Sequence, residues 1–144
     1  MKNNLLFFIL LAFTPLMADT PIFILHSYDE SYPWTQQQSF GFKSVLNNTE
    51  ELFPLYSTEH IDTKRRVLDK NYEQELTHYL TSKYQHYQPK LIYVTDDDAL
   101  HFMLKEGRKL FPSAPIVFSG VNNLSALDNV DTSGITGVDR KRVV

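Results

Sequence analysis

Leu91-Ile-Tyr-Val-Thr-Asp-Asp-Asp-Ala-Leu-His-Phe-Met-Leu104 changes period part-way along. Leu91 to Thr95 is a nearly unbroken, β-rich apolar run, as in a strand covered on both faces. From Leu100 the apolar residues return at Met103 and Leu104, then at Gly107 and Leu110, which is the spacing of a helix. The change falls on Asp96, Asp97 and Asp98. Three adjacent carboxylates repel one another, so they need a helix start, a ligand, a cation or open solvent to be tolerable. A buried strand running into a helix is the repeating unit of a parallel α/β sheet, so further copies of it settle the fold.

The pattern does recur. Ile22 to Leu25 and Ile116 to Ser119 are further short apolar runs, and Leu55 to Ile61 alternates enough to place it toward a sheet edge. Helical spacing lies between them: Phe42, Val45 and Leu46 after Thr35, which reads as an N-cap, and Tyr72, Leu76, Tyr79, Leu80 and Tyr84. Pro54, Pro89, Pro112 and Pro115 fall outside the helical segments. Ile135 to Val138, bracketed by Gly134 and Gly137, reads as a fifth strand or the start of a crossing. The expected fold is α/β, a three-layer α/β/α sandwich around a mostly parallel sheet with right-handed crossovers.

With 144 residues, 42% of them hydrophobic, the chain has material for one modest domain. Its formal charge of −3 is interspersed, which argues against a nucleic-acid surface. The short cluster Lys64-Arg65-Arg66 reads as a solvated face. Residues 1–18, MKNNLLFFILLAFTPLMA, have an early lysine, an apolar run and a small residue before a polar stretch, the build of a secretory signal peptide. A periplasmic location follows as an expectation, with the domain over residues 19–144. There is no cysteine, hence neither a disulfide nor a thiolate metal site.

In a parallel α/β sheet, ligands lie beyond the carboxyl ends of the strands where strand order reverses. The residues at those ends are His26, Ser27 and Tyr28; Asp62, Thr63 and Lys64; Asp96 and Asp97; and Gly120 with Asn122. Tyr32 and Trp34 join the first group, because the loop Ser27 to Thr35 carries two tyrosines and the only tryptophan. His26, Ser27, Tyr28, Tyr32, Trp34, Asp62, Thr63, Asp96, Asp97, Gly120 and Asn122 are the candidate ligand contacts. Each has a plainer reading beside the functional one. One aspartate is expected to cap the helix through its side chain, alone or while another touches ligand; a metal cluster is the third possibility. Trp34 alternatively packs under the first helix. The scattered histidines do not have ligand spacing. No GxSxG elbow, HExxH helix or glycine-rich phosphate loop is present, and neighbours such as His26 and Ser27 on an extended segment point to opposite sides. The residues therefore indicate no catalytic set, no metal and no cofactor.

The segments LHSYDESYPWTQQQSFGF, HIDTKR, LIYVTDDDALHFML and FPSAPIVFSGVN, in this order, resemble the ABC-transporter substrate-binding proteins of the type I periplasmic class. Similar domains front some bacterial histidine kinases and diguanylate cyclases as extracytoplasmic sensors. The resemblance covers about Pro21 to Val138, with Asp98 where the family often has asparagine. It implies one lobe of a two-lobed clamp that traps a small solute, with a membrane transporter or a membrane sensor kinase or cyclase as partner. After GITGV, where the family's chain crosses to its second lobe, DRKRVV follows, so a truncated first lobe is expected. The alternatives are a one-lobe protein-interaction adaptor and a small magnesium-dependent enzyme using the aspartates.

Overall fold

A computed structural model describes residues 19–50 and 52–139; the expected leader over residues 1–18 lies outside them. The apolar runs form β1 (Asp19–His26), β2 (Phe53–His60), β3 (Leu91–Thr95), β4 (Ile116–Val121) and β5 (Ile135–Asp139). They pair in parallel in the order β2-β1-β3-β4-β5. The connecting helices are α1 (Pro33–Asn47), α2 (Lys70–Lys83) and α3 (Asp96–Phe102). α3 continues through a wider π-helical turn, Met103–Gly107, into a last helical turn, Arg108–Leu110. The fold is α/β, and the fifth run is a strand of the same sheet.

Alternation along the strands divides the core into two layers. Phe23, Leu25, Ile92, Val94, Ile116 and Phe118 pack with Leu76 and Leu80 of α2 and with Ala99, Leu100 and Phe102 of α3. On the other face, Ile22, Ile24 and Tyr93 meet Phe42 and Leu46 of α1, and the Phe42 ring lies flat on Tyr93 with centroids 3.9 Å apart. Each fully buried large apolar side chain contributes about 1.5–3 kcal/mol, so the first and larger layer dominates stability. β2 is an edge strand, as its alternation predicts, and no residue of it is fully buried.

Two expected helix starts are corrected. Thr35 does not cap α1. The helix begins three residues earlier than that cap implies, at Pro33, with Tyr32 as N-cap and no side-chain capping bond. Proline supplies a helical φ and has no amide hydrogen to satisfy, so the first turn starts there, and Thr35 is buried inside it. Nor does any of the three aspartates cap α3. Its N-cap is Thr95, again with no side-chain capping bond.

Candidate functional site

Strand order reverses between β1 and β3, so the crevice of this sheet opens beyond His26 and Thr95. His26 Nδ1 lies 2.9 Å from Thr95 Oγ1. Ser27 Oγ donates to the Thr95 carbonyl at 2.7 Å and accepts the amide of Ala99 at 2.8 Å. Ser27, arriving from another strand, therefore satisfies the α3 amide that an aspartate was expected to serve. Thr63 extends the joint through its amide, which donates to the Ser27 carbonyl at 2.9 Å.

The aspartates are occupied elsewhere, each by a different element. Asp96 has a left-handed φ of 65°. Its oxygens accept from Trp34 Nε1 and Gln38 Nε2, both at 3.0 Å. Gln38 Oε1 in turn accepts the Ser119 hydroxyl at 2.6 Å, and Ser119 meets the Tyr93 hydroxyl at 2.6 Å. This partly buried chain ties the start of α1 to β3 and β4. Burial raises the Asp96 carboxyl, with the Trp34 and Gln38 bonds opposing the rise. Asp97 accepts from the amides of Asn122 at 3.0 Å and Asn123 at 2.9 Å, and from Asn122 Nδ2 at 3.1 Å. Asp98 accepts the Thr63 hydroxyl at 2.6 Å. The three charges are thus spread over three sets of donors. Among the described residues no group of three or more His, Asp or Glu is placed to hold a metal ion.

All eleven candidate residues lie at the carboxyl ends of β1 to β4, in the loops that follow or in the first turn of α1 or α3, but they divide by exposure. His26, Ser27 and Asp96 are buried. Trp34 is half-buried, with its indole turned to Asp96. Gly120, at a φ of 73°, lets the backbone pass close to Gln38 and Asp96: an added Cβ would stand 2.9 Å from Gln38 Oε1 and 3.0 Å from Asp96 Oδ1. Tyr28, Tyr32, Asp62, Thr63, Asp97 and Asn122 keep surface toward solvent. Tyr28 and Tyr32 meet edge to face with centroids 5.4 Å apart, and Lys64 Nζ lies over both rings at 4.5 and 5.5 Å. Burial, with the field of Asp96 and its neighbours, raises the Tyr28 hydroxyl to about 12, so it is a neutral donor. Asp62 also has a left-handed φ, 62°. One of its oxygens accepts Arg65 at 2.7 Å; the other is buried with no partner among the described residues.

A groove of about 830 Å³ runs from this rim between α1 and β2. Of its lining residues, only His26 is among the candidate ligand contacts. The register explains the groove: Ile22, Ile24 and His26 stand beside Tyr56, Thr58 and His60 on the face that α1 covers. α1 places its apolar Phe42 and Leu46 over β1 and β3, and its Thr35, Ser39 and Lys43 line the groove. The rings of His26 and His60 stack at 5.1 Å. Burial, aided by His60 and Lys43, pulls His26 down to about 3. Burial lowers His60 as well, against the field of Glu30, Asp29 and Glu59. The polar alternation of β2 was the available signal, and an edge strand alone also accounts for it.

Comparison with models of known families, with curated proteins and with solved structures gives no match. The chain is accordingly classed by its architecture: a five-stranded parallel α/β sandwich with a polar rim at its switch point.

Proposed function

We propose that this chain is an exported domain that binds a small solute at the carboxyl edge of its sheet. It serves either an uptake transporter of the ABC class or a membrane signalling protein. The observation that carries the reading is the gathering of polar side chains from four successive strand ends around the β1/β3 switch point. There Tyr28, Tyr32 and Lys64 form an aromatic and cationic wall, and Asp62 offers a carboxylate oxygen with no partner among the described residues. The occupied state of Asp96, Asp97 and Asp98 supports a scaffold role for them. Each holds two elements together. In a two-lobed clamp this rim is one jaw, and solute binding shifts the population toward closure.

A thermal-shift screen of amino acids, nucleosides, sugars and organic acids tests the reading. A solute at a hundred times its Kd adds about 2.7 kcal/mol, a readily measured rise in Tm. The Lys64→Ala and Tyr28→Ala variants are expected to keep the fold and lose part of that rise. If no solute class stabilises the wild-type protein, the reading fails.

A further inference from the structure

The inner wall of the groove contains His26 and Thr35, both 1% exposed, and His26 Nε2 and Thr35 Oγ1 have no hydrogen-bond partner among the described residues. Unpaired buried polar atoms are costly, and two on one wall indicate a shared purpose. His26 Nδ1 is engaged with Thr95 Oγ1 at 2.9 Å, and Nε2 is the ring nitrogen left for a ligand. Around it the groove offers hydrogen-bonding groups, Ser39 and Thr58 among them, with Glu30 as its one carboxylate and Lys43 as its one ammonium among the described lining residues. The Lys43 ammonium lies 5.2 Å from the Tyr56 ring centroid, which holds it beside the groove.

We propose that the groove seats a small polyhydroxylated carboxylate, with one hydroxyl bonded to His26 Nε2, another bonded to Thr35, and the carboxylate paired with Lys43. This rests on the solute-binding reading and extends the solute's seat from the rim into the groove. The His60 ring covers His26 and takes no side-chain hydrogen bond among the described residues. It therefore swings aside as the hydroxyl enters, so the occupied form has the two rings unstacked.

The probes are gluconate, hexanoate, which lacks the hydroxyls, and glucose, which lacks the carboxylate. Nitrogen-15 spectra of the imidazoles are recorded on the full chain with each probe. Gluconate is expected to move the His26 Nε2 signal toward that of a hydrogen-bonded nitrogen and to shift His60, whereas hexanoate and glucose leave both in place. Lys43→Gln is expected to weaken gluconate binding about tenfold or more, and Thr35→Val by a smaller factor. Failure of gluconate to move His26, up to concentrations that would fill a site of about millimolar Kd, overturns the inference. So does an Nε2 signal already hydrogen-bonded without any probe and indifferent to all three, which would mean that water serves it. A solute that raises Tm while both histidines stay still overturns this inference and leaves the rim reading standing. No stabilising solute at all overturns both.

Discussion

His26 offers the sharpest quantitative test because its environment sets a sign as well as a size. Burial, with His60 and Lys43 adding, lowers its pKa from 6.5 to about 3. A lowered pKa means that the folded state resists protonation while the unfolded chain accepts it. Stability from this source is therefore complete above pH 6.5 and is lost as pH falls toward 3. Each tenfold change in proton affinity corresponds to about 1.4 kcal/mol, so the full effect approaches about 5 kcal/mol, of which about 2 is lost between pH 8 and pH 5. Asp96 works in the opposite direction. Its carboxyl is raised, chiefly by burial, so its protonation returns stability as pH falls. The two are separated by comparing wild type with His26→Gln in urea unfolding at pH 8 and pH 5. The wild-type protein should lose about 2 kcal/mol more than the variant over that interval. A carbon-13 titration of the imidazole reads the same quantity directly. A His26 midpoint within about one unit of 6.5 would refute the reasoning.

Other outcomes follow from individual contacts. Gly120→Ala should cost about 3–4 kcal/mol and Gly134→Ala only about 1. Both glycines have positive φ, but an added Cβ at Gly120 strikes Gln38 and Asp96, whereas at Gly134 its nearest neighbour is Pro115 at 3.9 Å. Equal costs in urea unfolding would remove the case for a tight joint at Gly120. Ser27→Ala strands the Ala99 amide and should destabilise by about 2–3 kcal/mol; a loss below about half a kcal/mol would mean that another group serves that amide. Trp34 is the only tryptophan, and its indole bonds Asp96 beside the rim, so a stabilising solute should change its fluorescence. Binding by Tm with unchanged emission would place the solute away from the start of α1.

The layout of the fold was legible because a five-strand parallel sheet writes its buried strands as continuous apolar runs. Ile22 to Leu25, Leu91 to Thr95 and Ile116 to Ser119 all fall inside observed strands. Local chemistry read less well where tertiary contacts outbid it. Thr35 looks like a cap, but Pro33 starts the helix first. Asp96 to Asp98 look like caps, but Trp34 and Gln38 hold the first, the amides of Asn122 and Asn123 hold the second, and Thr63 holds the third. Ser27, which does serve an α3 amide, is 72 residues from its partner in sequence. No local pattern signals a bond of that kind. The groove depends on His60 standing beside His26, which only the β1/β2 register reveals.

The central claim is that the carboxyl edge of this sheet is a place where solute binds. Amide chemical-shift mapping with whichever solute raises Tm tests it most directly. The account predicts that the largest shifts fall on the strand ends and their loops, among Ser27, Tyr28, Thr63, Lys64 and Asn122, and along the start of α1. Shifts confined to the opposite edge, around Pro89 and Pro112, would contradict it.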